Sequence, residues 1–234
     1  MNKKTTSLLI LFLTIFSTHC YATWSIIAVD RKTGEIGIVG ASCTFDVSGI
    51  ASIVPGKGAI VVQAGSDYFA RMKGVELMKK DIPLKEILSA MKNKKFTPER
   101  QQYGLIVLDS KSKPLVYSGS EIKDWNGAQL SNDFAVMGNI LTDSQVISKA
   151  YKAFDENRDK SLAARLMLAL KAGEKAGGDK RCGTQYARSA FLMVYKPKDG
   201  AIIKLAVQGI EKGGKRAVTL LNEKFKFWRK EEKQ

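Results

Sequence analysis

Past residue 22 the chain falls into short apolar runs separated by polar turns. Thr23–Asp30 (TWSIIAVD) and Glu35–Ser42 (EIGIVGAS) are rich in β-branched and small apolar residues, with four polar residues ending in Gly34 between them. That spacing predicts a hairpin. With Asp30 facing Glu35, Thr23 faces Ser42 and Cys43 lies one step beyond, a register that a slip of one residue would alter. Ala59–Ala64 predicts a buried strand, and Tyr103–Asp109 with Pro114–Ser118 predicts a second hairpin-like pair. Helices are predicted over Tyr68–Lys80 and over Pro83–Lys92, the latter with proline in its first turn. Asp133–Met137 predicts a further strand, ended by Gly138-Asn139.

Thr142 with Gln145 has the spacing of a capping box, predicting a helix through Phe154. Ser161–Glu174 carries apolar residues at helical spacing and stops at Gly177-Gly178. Ala187–Lys196 and Ala201–Val207 predict two last strands, and Lys215–Lys230 a closing helix with Phe225, Phe227 and Trp228 on one face. Strands grouped in hairpins and helices arriving in pairs predict an α+β fold class with antiparallel sheets. A four-layer α-β-β-α sandwich accommodates this order, as does a two-layer α+β domain, and the pattern alone prefers neither.

The first 22 residues follow another logic. Lys3 and Lys4 precede an almost wholly apolar Ser7–Phe16, and Cys20-Tyr21-Ala22 places small residues where signal peptidase needs them. An apolar run of about ten residues is half the roughly 20 that a spanning helix requires. The expectation is therefore an exported precursor cut before Thr23, with a periplasmic or secreted product. The rivals are an uncleaved anchor and a lipoprotein on Cys20. Cleavage leaves 212 of the 234 residues, read as a domain over residues 23–210 and a basic helix or tail over 211–234. No later apolar run is long enough to span a bilayer.

Composition narrows the chemistry. The only histidine, His19, leaves with the leader, which excludes Ser-His-Asp and Cys-His catalytic units and imidazole metal ligands. Cys43 and Cys182 remain, too few for a zinc cluster, and in an oxidising compartment they read as a structural disulfide. No nucleotide, haem or metal signature is present, so no cofactor is expected. The net charge of +15 becomes +13 without Lys3 and Lys4. Scattered lysines suit an anionic envelope surface and lack the module that nucleic-acid binding needs.

Without histidine, a hydrolase needs another base. An α-amine with a pKa of roughly 7.7–8.0 is far better placed than a lysine near 10.4, and an N-terminal Thr carries nucleophile and base on one residue. Thr23 is thus one candidate; the bland reading is that it merely follows the cut. Gly177-Gly178-Asp179-Lys180-Arg181-Cys182-Gly183 is a second, offering sharp turns, an anion and a bidentate cation, against the bland reading of a helix stop and charged loop. A Cys43–Cys182 bond would carry Asp179 and Arg181 to the new N-terminus. Gly138 and Asn139 could present donors to an oxyanion or form an ordinary turn. Gln63 reads equally as a satisfied core amide or a site residue.

These stretches resemble the domain-of-unknown-function family 1028, whose members are regarded as relatives of the N-terminal-nucleophile (Ntn) hydrolases. The resemblance rests on Thr23–Asp30, Gly34–Gly37, Ala41-Ser42, Gln63-Ala64, Gly74–Leu77, Gly138–Leu141 and Gly177–Arg181. It implies an Ntn-type α-β-β-α sandwich with Thr23 in the nucleophile's position. Cys43 and Cys182 depart from the family pattern and fit a disulfide added in an exported variant. The expected activity is hydrolysis of a small amide or peptide, with Thr23 attacking and Asn139 holding the oxyanion. Asp179 and Arg181 would orient the amine or grip a carboxylate, Ser42 would assist, and Gln63 and Gly138 would border the substrate. The rival is a non-catalytic envelope protein whose basic surface binds anionic polymers. An oligomer is compatible with either.

Overall fold

The structure, a computed structural model, describes residues 22–122 and 124–231; the expected leader, with His19 and Cys20, lies outside the described residues except for Ala22. β1 (Thr23–Asp30) and β2 (Glu35–Ser42) form the expected hairpin, with Thr23 opposite Ser42 and Asp30 opposite Glu35. The turn closes by the Gly34 N–H donating to Asp30 O at 2.8 Å, and Asp30 Oδ1 accepts from the Lys32 N–H at 2.9 Å. Gly34 sits at φ 73°, a left-handed conformation that glycine adopts without steric penalty.

The remaining strands are β3 (Ala51–Val54), β4 (Gly58–Ala64), β5 (Gln101–Val107), β6 (Leu115–Ser118), β7 (Asn126–Leu130), β8 (Phe134–Asn139), β9 (Ser189–Lys196) and β10 (Ala201–Val207). They build a six-stranded sheet in the order β10-β9-β2-β1-β8-β7 and a four-stranded sheet in the order β3-β4-β5-β6. Every strand pair is antiparallel. The pattern missed β3 and β7, and both are edge strands. β3 has only four residues, and the NGAQL of β7 lacks an alternating apolar face.

Five helices cover the sheets: α1 (Tyr68–Lys79), α2 (Leu84–Met91), α3 (Gln145–Asp155), α4 (Leu162–Lys175) and α5 (Ala217–Glu231). Side chains of a strand alternate between faces, and this alternation sorts the core. Ile60, Val62, Tyr103 and Leu105 pack under α1 and α2 with Met78, Ile87 and Met91. Ile27, Val29, Ile36, Ile38, Val61, Ile106 and Met137 fill the space between the two sheets. Trp24, Ile26, Val39 and Val136 pack against α3 and α4. The fold is therefore α+β, with two antiparallel sheets face to face and helices outside them. Close approach of α4 explains Gly37, since a Cβ there would lie 2.4 Å from Leu166 Cδ1.

Three expectations need correction. The Thr142–Gln145 capping box does not form: Thr142 Oγ1 donates to Gly177 O at 3.0 Å, while Asp143 Oδ1 accepts the Gln145 N–H. The hydroxyl is drawn off because α4 ends beside it. Phe227 does not share a face with Phe225 and Trp228; it is 65% exposed, being two residues rather than three from Phe225. Finally, α5 is more than a basic tail: Ala217, Val218, Leu221 and Phe225 are buried in the core beneath α4, β9 and β10. No helix among the described residues is long and apolar enough to cross a membrane.

Candidate functional site

Thr23 opens the central strand β1, opposite Ser42 of β2 on one side and Asn139 of β8 on the other. Alternation places Thr23, Ser25, Ser42 and Asn139 on the face that packs between the sheets, in phase with Ile27, Ile38 and Met137. Gln63 of β4 and Gln102 of β5 face them, in phase with Val61 and Ile106. One end of an otherwise apolar layer is thus built from six polar side chains. All six are buried, with Thr23 1% exposed.

Burial obliges these groups to find hydrogen-bond partners. Ser25 Oγ donates to Gln63 Oε1 at 2.7 Å. Gln63 Nε2 donates to Gln102 Oε1 at 2.6 Å and to Thr23 O at 3.4 Å. Gln102 Nε2 donates to Ser118 Oγ at 2.8 Å and Gly138 O at 3.0 Å, and Gln102 Oε1 also accepts from Asn139 Nδ2 at 3.2 Å. The network ties both sheets to the backbone on either side of Thr23. Gln63 is accordingly a brace for Thr23 with its amide engaged on both atoms. Asn139 commits one amide hydrogen to Gln102, and its buried Oδ1 has no partner among the described residues. Sequence reasoning missed Ser25 and Gln102; a glutamine alternating with apolar residues on a central strand, as at Gln63, was the available signal.

The second cluster arrives from α4's C-terminus. Gly177 and Gly178, at φ 120° and 54°, turn the chain, and a Cβ on Gly177 would lie 2.8 Å from Thr142 Oγ1. Asp179 follows, fully buried. Its Oδ2 accepts from the Cys43 N–H at 2.6 Å and from Arg181 Nη2 at 2.8 Å, and its Oδ1 accepts from Arg181 Nε at 3.1 Å. This is a two-pronged carboxylate–guanidinium pair, which fixes direction as well as charge. The Cys43–Cys182 disulfide, with Cα atoms 5.6 Å apart, ties the same loop to the end of β2.

Arg181 Nη2 also donates to Ala22 O at 3.1 Å, and Ser42 Oγ donates to the same oxygen. That carbonyl belongs to the peptide bond whose nitrogen is Thr23 N. The proposed site residues Thr23, Ser42, Asn139, Asp179 and Arg181 thus converge on one backbone position. Gly138 admits that approach, because a Cβ there would lie 3.0 Å from Thr23 O and 2.4 Å from Leu141 Cδ1. Backbone strain gathers at the same end: Ala64, Ser66, Ile140 and Tyr186 hold φ of 69°, 56°, 52° and 63°. Such conformations cost about 1–3 kcal/mol each and persist where the surroundings over-determine them.

Among solved structures the fold has a clear counterpart. The crystal structure of protein SPO2555 from Silicibacter pomeroyi, described with the DUF1028 family model, is similar at a TM-score of 0.74 and 22% identity, over 88% of this chain and 85% of that one. That likeness speaks to the fold. No curated protein matches the chain. The sequence model of the family of unknown function DUF1028 matches residues 23–213, beginning at the first residue of β1 and ending before α5, and the chain belongs to that family.

Proposed function

We propose that the protein is an exported hydrolase of the N-terminal-nucleophile type that cleaves a small amide or peptide bond, with Thr23 exposed by removal of the leader. The observation that carries this reading is the convergence of Ser42 Oγ and Arg181 Nη2 on the Ala22 carbonyl, one bond from Thr23 N. Loss of residues 1–22 removes that carbonyl and turns Thr23 N into an α-amine beside both groups. A neighbouring guanidinium disfavours the ammonium form, which raises the neutral fraction of an amine already titrating near pH 8. Thr23 Oγ then loses its proton to the amine as it attacks the amide carbonyl. The amine passes that proton to the leaving nitrogen, and water releases the acyl-enzyme.

Asp179 keeps Arg181 in place. The second Nδ2 hydrogen of Asn139 and nearby backbone N–H groups are the donors for the oxyanion. The Gln63–Gln102 brace holds the Thr23 backbone steady, which matters because small misplacements of reacting groups are costly. The sandwich itself, read as the Ntn type, and a periplasmic or secreted location belong to the same proposal.

The test is N-terminal sequencing and intact-mass analysis of protein purified from an exporting cell after treatment with an electrophile selective for N-terminal nucleophiles. The expected result is a chain starting at Thr23 with the adduct on that residue, none in Thr23→Ala, and partial labelling in Thr23→Ser. An unlabelled Thr23 in a correctly cut protein refutes the hydrolase. Combined with salt-sensitive binding to anionic polymers, which the +13 charge favours, it would support the non-catalytic reading instead.

A further inference from the structure

At the far end of β1, about 23 Å from Thr23 by strand rise, lies a cavity of about 250 Å³ lined by Asp30, Arg31, Lys32, Asp133, Arg158 and Arg165. Its lining carries four cations and two carboxylates. Two of its guanidinium donors are buried and have no acceptor among the described residues: Arg31 Nε and Arg165 Nη2. Arg165, on α4, is only 6% exposed. Its Nε donates to Phe154 O at 3.3 Å and its Cζ lies 4.0 Å over the Phe154 ring, so one side of the guanidinium is settled and the other is not.

The carboxylates nearby are only partly engaged. Asp30 Oδ1 accepts the N–H groups of Lys32 and Thr33, while Arg158 pairs with Asp155 through Nη2 and lies 3.8 Å from Asp133 through Nη1. Arg31 Nη2 is spent on the carbonyls of Val107, Asp109 and Ser112. Desolvation holds the Arg165 pKa below its ordinary value, against the attraction of Asp133, Asp30 and Asp155. A buried unpaired donor costs free energy, more so when it is charged.

We infer that this cavity is a binding site for a small doubly charged oxyanion of the phosphate or sulfate class, gripped by Arg165 and Arg158 and walled by Arg31 and Lys32. The lining residues alone carry +2, and with Asp155 paired to Arg158 the site stays net positive, which favours an anion. Two orphaned guanidinium donors, on Arg31 and Arg165, call for a ligand with more than one acceptor oxygen. The half-exposed Arg158 is the side chain through which the ligand would enter. The site is independent of Thr23 and of the hydrolase reading.

Calorimetric titration of the purified protein with inorganic phosphate at fixed ionic strength tests this, alongside thermal unfolding. Saturable binding is expected, with a melting temperature that climbs with the logarithm of phosphate concentration. Arg165→Met and Arg158→Ala should each weaken binding about tenfold or more, the loss of one charged hydrogen bond. Arg158→Ala alters an exposed side chain and so reports even if Arg165→Met fails to fold. Lys226→Ala on distant α5 should change nothing. Sulfate should replace phosphate, whereas acetate should bind far more weakly; an equal response to acetate overturns the dianion assignment. A non-saturable response, or equal binding in Arg158→Ala, would mean general screening of a basic surface and overturns the site.

Discussion

Single residues show how burial sets the chemistry of this protein. Glu174, near the end of α4, is 6% exposed and its Oε1 has no partner among the described residues. Desolvation outweighs the attraction of Arg216 and Lys171 and pushes its carboxyl up to about 7. The sign follows from linkage. Below the ordinary carboxylate range both the folded and unfolded forms are protonated and nothing is lost. As pH rises from about 4.5 to 7 the unfolded chain ionises first, so stability falls, and above 7 the penalty is complete. Glu174→Gln should therefore stabilise the fold at pH 8 by at most about 3 kcal/mol and change little at pH 4, as read from urea midpoints at the two values. Gly138 shows the steric counterpart. Gly138→Ala must displace the fully buried Leu141 and press on Thr23 O, with an expected loss of about 1–3 kcal/mol in chemical unfolding. Neither environment is legible locally, because burial by the rest of the fold sets the first and the close approach of Thr23 on the neighbouring strand helps set the second.

Elements with strong periodicity were read from the pattern; those whose apolar face is completed by distant packing were not. The β1–β2 hairpin register came from a four-residue turn and two alternating runs, all within 20 residues, and it alone places Ser42 beside Thr23. β3 and β7 escaped because edge strands are held by a neighbour's hydrogen bonds more than by their own pattern. α5 was seen as a helix, yet its burial depends on packing against α4, β9 and β10. Although the family match ends at residue 213, a chain truncated there would expose Val218, Leu221 and Phe225's partners. Each buried side chain of this size is worth about 1.5–3 kcal/mol. The truncation should thus lower the melting temperature sharply or leave the protein insoluble, and Leu221→Ala alone should cost about 2–5 kcal/mol in urea unfolding.

The whole molecule is clamped at one end by a covalent link. Cys43 and Cys182 are 139 residues apart in sequence, and closing so long a loop in the unfolded chain is worth about 3–5 kcal/mol. The bond also holds the Asp179–Arg181 loop against β2, where the Cys43 N–H donates directly to Asp179. Replacing both cysteines by serine should lower stability by about that amount in oxidising buffer and have no effect on protein already reduced. If Thr23 is the nucleophile, the same variant should also lose labelling at Thr23 before it unfolds, since Arg181 would be less firmly placed.

Local information therefore determined the hairpin, the helix pairs, the disulfide pair and the lack of any histidine beyond His19, because each depends on residue type and short spacing. Thr23, Ser42, Asp179 and Arg181 were legible together, since the hairpin and the cysteines connect them by simple geometry, whereas Asn139 was picked out as a strand end and only the β1–β8 pairing put it beside Thr23. Only the tertiary structure recruited Ser25 and Gln102, diverted Thr142 from its helix to the Gly177 carbonyl, and seated α5. It alone brought Arg165 together with Arg31, Arg158, Asp30 and Asp133 around one cavity at the remote end of β1. Those outcomes rest on hydrogen bonds and packing between segments tens of residues apart. Burial there makes partners compulsory, and which partners are within reach is decided by how the sheets and helices stack.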